Sequence, residues 1–227
     1  MRIATFNIRH GARDGLFARN RQLLQACQDL DADVLCLQEV DSHVIRSGFR
    51  DQARYIAVNL GMEYCFDSAQ PKLVTGQQGN AILTRGSILE HRVIPLVRRS
   101  GDEQRIATLA QLAVYGQTLT LVNTHLQNPV SSADRQGTLD QLTEVIGEMD
   151  GQTGLSVLCG DLNLSRRYAL GPIEQAGFDC GPEHFTIPSN QPVRQIDFVA
   201  VRGGEVLSVR VGIESVSDHL PLIADVA

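Results

Sequence analysis

The most constraining feature of this sequence is a series of short apolar, β-branched runs that each stop at a polar side chain. Runs of this length and composition are typical of β-strands bounded by turns. The predicted strands are Arg2–Phe6, Val34–Leu37, Asn80–Thr84, Ile106–Val114, Thr118–Val122, Ser156–Cys159, Ile196–Val201, Ser208–Val211 and Leu222–Val226. The tripeptide Tyr115–Gly116–Gln117 between two of these runs predicts a hairpin, so part of the sheet is expected to be antiparallel.

Three segments have apolar residues at helical spacing: Arg19–Leu30, Gln52–Leu60 and Ala133–Met149. Ser131, Ser132 and Asp134 are candidate N-caps for the last of them. The predicted loops are Phe66–Gly79, Pro95–Gln104, Asn163–Gly171 and Cys180–Gln195. Strands mixed with helices in this order indicate packed sheets covered by helices, and 227 residues suit one domain over the whole chain.

Composition excludes some classes of protein. With 43% hydrophobic and 20% charged residues, the chain is not of the disordered type. Its net charge of −6 and its lack of Trp do not favour a nucleic-acid-binding surface, which is usually basic. The five cysteines are odd in number and form no C-x-x-C pair, so neither a disulfide framework nor a structural zinc site is predicted.

The N-terminal segment M-R-I-A-T-F-N enters a predicted strand directly, without the basic and apolar regions of a signal peptide. No apolar run approaches the length of a membrane span. The expected location is therefore a reducing cytoplasm, and a monomer is expected.

Polar residues recur where the predicted strands end. They are Asn7, Glu39, Asn123, His125, Asp161, Asn163, Asp197, Asp218 and His219. Ligand sites of α/β folds tend to form at one edge of the sheet. Convergent carboxylate and amide oxygens are the ligands that a hard divalent cation such as Mg²⁺ or Mn²⁺ requires.

Seven segments of the sequence, taken in order, resemble those of one known protein superfamily. T-F-N-I-R-H-G, L-Q-E-V-D, G-N-A-I-L-T-R, N-T-H-L, G-D-L-N, Q-I-D-F-V and S-D-H-L-P occur in this order between Ile3 and Leu222. The ordered set resembles the endonuclease/exonuclease/phosphatase superfamily, which includes pancreatic deoxyribonuclease, apurinic endonucleases, inositol polyphosphate phosphatases and neutral sphingomyelinases. The resemblance implies a four-layer α/β sandwich: two packed, mixed and mostly antiparallel sheets with helices on the outer faces.

The resemblance also implies a hydrolase that uses Mg²⁺ or Mn²⁺ to cleave phosphate esters. In that comparison Glu39 binds the divalent cation with help from Asn7, and Asp218 supports the metal site. Several nucleases of the superfamily carry an acidic residue two positions after the first Asn, where this chain has Arg9. A second metal ligand is therefore not expected from that segment, and Arg9 is predicted to bind the substrate phosphate instead.

The catalytic group implied by the resemblance contains Asp161, His219, His125, Asn163 and Asp197. Asp161 would deprotonate the attacking water and Asn163 would steady the phosphate. Two residues apart on an extended segment, these side chains are expected to face the same side. His125 and His219 would contact the phosphate and the leaving group, with Asp197 orienting His219. Asp161 and His219 are both expected at exposed strand ends.

Asn80 and Asn123 are further candidates for substrate binding. Each could contact the phosphate or satisfy backbone groups beside the site, and the sequence favours neither role.

The charge slightly favours a phosphodiesterase or phosphatase for a small molecule or a lipid head group. A Mg²⁺-dependent endonuclease or exonuclease is the first alternative, so nucleic acid is the less favoured substrate. A non-catalytic binding module of the same fold is the second alternative, which the presence of Glu39, Asp161, Asn163, Asp197 and His219 disfavours.

Overall fold

The computed structural model describes residues 1–71, 75–99, 101–213 and 216–227. Its strands are β1 Arg2–Asn7, β2 Val34–Ser42, β3 Glu63–Pro71, β4 Gln77–Thr84, β5 Ser87–Pro95, β6 Ile106–Val114, β7 Gln117–His125, β8 Leu155–Asp161, β9 Asp197–Arg202, β10 Val206–Val211 and β11 Leu222–Val226. Its helices are α1 Asn20–Asp29, α2 Gln52–Leu60, α3 Ser132–Gly147 and α4 Arg166–Gln175. None of the described helices is long and apolar enough to cross a membrane.

The strands form two sheets. One has the order β10-β11-β1-β2-β4-β3 and the other has the order β5-β6-β7-β8-β9. Among the described strands, β1–β2 and β7–β8 pair in parallel and the other neighbours pair antiparallel. The predicted mixed, mostly antiparallel arrangement is confirmed.

Three apolar layers hold the sandwich together. Residues such as Ile3, Leu121 and Val157 pack between the two sheets. Leu23 of α1 and Ile56 of α2 pack on the outer face of the six-stranded sheet. Residues of α3 and α4 cover the other sheet in the same way. Because their two faces both meet apolar layers, the central strands are continuous hydrophobic runs and not alternating ones.

Local sequence accounts for several element boundaries. The Asp51 side chain accepts a hydrogen bond from the Arg54 N–H at the start of α2, and the left-handed Gly61 follows its end. Ser131 is the N-cap of α3 and accepts from the Asp134 N–H. Tyr115 and Gly116 both have positive φ, which suits a tight hairpin turn between β6 and β7, so the predicted hairpin is confirmed.

Three boundary predictions were wrong. Most of the predicted loop Phe66–Gly79 belongs to β3 and β4, although residues 72–74 of that loop lie outside the described part of the chain. The predicted loop Asn163–Gly171 contains the first turns of α4. The strand predicted at Val34–Leu37 continues to Ser42.

The strand β5 was not predicted. Its side chains are mostly exposed, with Ile94 its buried member, so the apolar alternation that signals a half-buried strand is absent. It is held by pairing with β6, a long-range interaction that no local pattern reports.

Asn123 of β7 links the two sheets. Its Oδ1 accepts a hydrogen bond from Nε2 of Gln38 at 2.7 Å, and its Nδ2 donates to the carbonyls of Leu37 and Ala81 at 3.0 and 2.9 Å. The side chain is fully buried, so these bonds replace water for four polar groups.

We therefore expect Asn123→Ala to lower the free energy of unfolding by about 2–4 kcal/mol, because buried polar groups of β2 and β4 in the six-stranded sheet lose their partner from β7. Urea unfolding followed by circular dichroism measures the change. Asn59→Ala is the matched control, since Asn59 is exposed and bonds to a carbonyl of its own helix. Equal effects of the two substitutions would contradict a linking role for Asn123.

Candidate active site

The site forms where strands of both sheets end. Asn7 ends β1, His125 ends β7 and Asp161 ends β8, while Asp197 begins β9. The pairing register places His125 beside Asp161 and Asp161 opposite Asp197. Nδ2 of Asn7 donates to Oδ2 of Asp161 at 2.9 Å, which brings the six-stranded sheet to the same point.

Asp161 is the centre of this group. Its Oδ2 lies 3.5 Å from Nε2 of His125 and 3.7 Å from Nε2 of His219. The preceding Gly160 has a φ of 140°, and a Cβ at that position would lie 1.9 Å from the Thr124 carbonyl oxygen. A glycine is therefore needed for β8 to approach β7 closely enough to bring Asp161 beside His125.

His219 is held by Asp197. Its Nδ1 donates to Oδ2 of Asp197 at 2.9 Å, and both side chains are buried. Burial opposes a charge on the ring, but the carboxylates of Asp197 and Asp161 outweigh it and raise the pKa of His219 to about 10. The ring is an imidazolium at neutral pH, with Nε2–H directed at Asp161.

Burial also shifts the pKa values of Asp161 and His125. It raises the pKa of Asp161 to about 7, against the opposing effect of the His219 charge. It lowers the pKa of His125 well below its usual value, helped by the charges of Arg105 and His219. His125 is therefore neutral. Nη1 of Arg105 lies 3.2 Å from Nδ1 of His125, and because a guanidinium is only a donor, the His125 proton sits on Nε2.

Glu39 enters the site through a β-bulge. Gln38 and Glu39 of β2 together lie opposite Asn80 of β4, and Glu39 has a φ of 56°. The bulge directs the Glu39 carboxylate toward Asn7, whose Nδ2 donates to it at 3.1 Å. Such strained positions cluster at functional sites.

The donor set at Glu39 and Asn7 suits a hard cation. It offers the Glu39 carboxylate, and the Asn7 amide, whose Nδ2 faces Glu39 here, offers its oxygen when the amide is turned over. Oxygens of these two kinds are the ligands of Mg²⁺ and Mn²⁺. Asp161, Asp197 and His219 also bring potential ligand atoms within 4.8 Å of one another. The imidazolium of His219 has no free lone pair, however, so the Glu39 side of the site fits a cation better.

Arg9 and Asp218 pair with each other at the rim. Nη1 of Arg9 lies 2.9 Å from Oδ2 of Asp218, and both side chains are partly exposed. The backbone N–H of Arg9 donates to Oδ1 of Asn7. The two residues are therefore near the predicted site, and the guanidinium partly neutralises the Asp218 carboxylate.

Arg105 and Ser217 were missed by the sequence analysis. Arg105 lies in a small cleft beside Glu39, Asn80 and His125. Its buried Nε has no hydrogen-bond acceptor among the described residues. The available signal was a cation immediately before the apolar run Ile106–Val114, at a strand edge that already carried site candidates.

Ser217 holds the loop that carries His219. Its hydroxyl donates to the Asn7 carbonyl at 2.6 Å and accepts from the His219 N–H at 3.1 Å. The Ser that opens the segment S-D-H was the corresponding sequence signal.

Comparison with known proteins identifies the family. Residues 4–219 match the Endonuclease/Exonuclease/phosphatase family. The chain belongs to that family. An uncharacterized Escherichia coli protein, YbhP, is 28% identical over 254 residues, covering 99% of this chain and 95% of that protein.

Solved structures of the endonuclease/exonuclease/phosphatase family share the fold. One from Beutenbergia cavernae has a TM-score of 0.84 at 21% identity, covering 100% of this chain and 71% of its own. A mannosyl-6-phosphatase from Bacteroides thetaiotaomicron has a TM-score of 0.75 at 16% identity, covering 100% and 99%. Humanized zebrafish (D. rerio) TDP2 has a TM-score of 0.72 at 19% identity, covering 100% and 98%. The predicted superfamily and four-layer sandwich are confirmed.

Two details expected for this family member were wrong. Asp161 and His219 are not exposed: they are 1% and 5% accessible. The segment from Asp161 to Asn163 is not extended, since Asn163 has a φ of 51° and its N–H donates to Oδ1 of Asp161. The Asn163 side chain instead donates to the Leu126 carbonyl at 3.0 Å.

The two remaining asparagines differ in their surroundings. Asn80 lines the cleft with Arg105 and donates to the Ile106 carbonyl at 3.3 Å. Asn123 is fully buried and its amide is used by the two sheets.

The pairing of Asp197 with His219 generates a testable pH dependence. A raised pKa means that the charged ring is present below about pH 10 and is lost above it. In Asp197→Asn we expect a lower His219 pKa, because the favourable carboxylate is removed. NMR titration of the His219 ring, without added divalent cation, measures the change.

Asp51→Asn is the control for that titration, since Asp51 caps α2 away from His219. It should leave the His219 titration unchanged. A wild-type ring that loses its charge near pH 6.5, as an ordinary histidine does, would contradict the assignment.

Proposed function

We propose that this chain is a Mg²⁺- or Mn²⁺-dependent phosphoesterase that uses the group around Asp161 to activate water. The observation that carries the proposal is the contact of one buried carboxylate with Asn7, His125 and His219 from separate elements. Buried titratable groups with shifted pKa values, gathered in one place, are characteristic of catalytic sites.

Asp161 is proposed as the general base. A carboxylate with a pKa of about 7 is half deprotonated near neutral pH and is basic enough to accept a proton from water. As the water oxygen bonds to phosphorus, its proton passes to Oδ2 of Asp161. The bond from phosphorus to the ester oxygen breaks, the leaving alkoxide takes up a proton from solvent, and Asp161 releases to solvent the proton that it accepted.

The cationic and N–H donors are proposed to stabilise the phosphoryl group. His219 is an imidazolium held by Asp197, and its Nε2–H points into the same space as Nε2–H of the neutral His125. The Nε–H of Arg105, which has no acceptor among the described residues, is available to a phosphate oxygen. Donors held in advance in a buried site stabilise developing negative charge strongly.

The cation, when bound, would neutralise negative charge on the phosphoryl and leaving oxygens. Glu39 and Asn7 are proposed to hold it, with Asp218 nearby. Arg9 is proposed to contact substrate from the rim, where its guanidinium is partly exposed. Asn80 is proposed to contact substrate in the cleft. For Asn123 the buried bonds favour positioning of the strands over contact with phosphate.

The proposed substrate is a small phosphoester or a phosphorylated head group. The net charge of −6 works against the counterion release that drives duplex binding. In the Arg98–Arg99 stretch, Arg99 lies within ion-pair distance of Asp134. A relative of the same fold is a sugar phosphatase by its name, which is compatible with a small substrate.

Metal dependence and substrate class can be tested together. Sugar phosphates, inositol phosphates, phospholipids, RNA, plasmid DNA and an abasic duplex are assayed with Mg²⁺ or Mn²⁺. Hydrolysis should stop in excess chelator and return with either cation, because the negatively charged phosphoryl group needs the bound charge. We expect a small ester to be the fastest substrate.

Full activity in excess chelator would contradict the metal mechanism. Plasmid nicking faster than every small ester, or submicromolar duplex binding at about 150 mM salt, would favour a nuclease, since non-specific binding is normally about 10⁻⁴–10⁻⁶ M. Binding without hydrolysis of any substrate would favour a non-catalytic module.

Individual roles are tested by conservative substitutions, because Asp161 and His219 are buried. Asp161→Asn and His219→Gln should each lower kcat by at least about 10²-fold, through loss of the base and of the charged donor. Arg105→Ala should lower kcat/KM by about 10- to 100-fold, since it removes a charged phosphate contact.

Arg92→Ala is the matched control for Arg105→Ala. Arg92 is half exposed and pairs with Glu148, and its loss should leave kcat/KM unchanged. Circular dichroism confirms folding of each variant. A folded Asp161→Asn or His219→Gln enzyme with normal turnover would show that the role is wrongly assigned.

A further inference from the structure

A second cluster of potential ligands lies away from the proposed active site. Cys65 and Asp67 project from β3, an edge strand of the six-stranded sheet, and His91 projects from β5, an edge strand of the other sheet. One ligand atom from each residue lies within 4.8 Å of the other two. The cluster therefore joins the margins of the two sheets.

The strand register explains why the three side chains meet. Cys65 is opposite Ile82, and His91 is opposite Ala110. Ile82 and Ala110 both belong to the apolar layer between the sheets. Asp67 is two residues beyond Cys65 and so shares its face. All three side chains thus point toward the sheet interface at its open margin.

The spacing suits a tetrahedral ion. Nε2 of His91 lies 3.6 Å from Oδ1 of Asp67. Ligands about 2.0–2.3 Å from a tetrahedral zinc ion are roughly 3.3–3.8 Å apart from one another. The measured separation needs almost no rearrangement to become one edge of such a tetrahedron.

The surroundings also resemble a metal site. The other Asp67 oxygen, Oδ2, accepts a hydrogen bond from the Thr108 hydroxyl at 2.7 Å, which fixes the carboxylate. Cys65 and Asp67 are buried, while His91 is about 40% exposed and leaves a path for an ion to enter.

We propose that Cys65, Asp67 and His91 form a site for Zn²⁺ or a similar borderline-soft cation, with water as the fourth ligand. A thiolate, an imidazole and a carboxylate are the ligands zinc prefers, whereas Mg²⁺ prefers oxygen. Binding releases the Cys65 proton to solvent, and no electrons are transferred. The ion would tie β3 to β5 and so clamp the two sheets at their open margin.

Cobalt(II) provides the test, because it replaces zinc and absorbs in the near ultraviolet when a thiolate binds it. The full-length protein is titrated with Co²⁺ in the presence of excess Mg²⁺, and Zn²⁺ is then added as a competitor. We expect a thiolate–cobalt absorption band that saturates at one Co²⁺ per chain. The band should disappear when Zn²⁺ displaces the cobalt. The metal affinity should fall at least about 10-fold in His91→Gln and the band should vanish in Cys65→Ser.

Matched variants separate this site from other cysteines and histidines. Cys180→Ser removes a different buried thiol, and His43→Asn removes an exposed histidine with positive φ, which Asn tolerates. Both should retain the band and the affinity. If Cys65→Ser does not fold, the Co²⁺ affinity of His91→Gln decides the test. The His91 side chain is partly exposed, so this variant is expected to fold.

The proposal is overturned if the wild-type protein shows no thiolate band or if His91→Gln binds Co²⁺ as tightly as the wild type. It is equally overturned if Cys180→Ser abolishes the band. Zinc should raise the melting temperature of the wild type and not of His91→Gln. These readouts do not depend on phosphoesterase activity, so failure of one proposal is distinguishable from failure of the other.

Discussion

The buried carboxylate of Asp161 is the group on which the rest of the site depends. Burying a charge is unfavourable unless donors surround it. Here Asn7 and the Asn163 N–H donate to it, and the imidazolium of His219 lies nearby. The donors come from both sheets and from the loop before β11, so the sandwich must assemble before the carboxylate is compensated. Stability and chemistry are linked at this position.

Two features of the backbone orient the side chains of the site: the close approach of neighbouring strands and local backbone strain. Gly160 allows β8 to approach β7, and the bulge at Glu39 turns a carboxylate toward Asn7. The parallel pairs β1–β2 and β7–β8 bring strand ends from each sheet to the same edge. Asn123 then fixes the sheets to each other below the site. The apolar layers supply the rigid frame that holds these geometries.

Some elements could be predicted from the sequence because local signals specify them, and others could not because long-range pairing stabilises them. The helix Gln52–Leu60 was predicted with its observed bounds, because an apolar face and an Asp cap are local signals. The strand β5 and the continuation of β2 past Leu37 were not, because pairing with distant strands stabilises them. Arg105 was missed for the same reason: its relation to His125 depends on the pairing of β6 with β7.

The sequence by itself determined the fold class, the family and the polar residues that end the strands, since apolar periodicity and ordered motifs are carried by neighbouring residues. Tertiary structure decided the burial of Asp161 and His219, and hence the directions of their pKa shifts. It also brought Cys65 and Asp67 beside His91, which no sequence spacing indicated. Desolvation and ligand convergence depend on distances between residues far apart in the chain, and those distances exist only once the two sheets have packed.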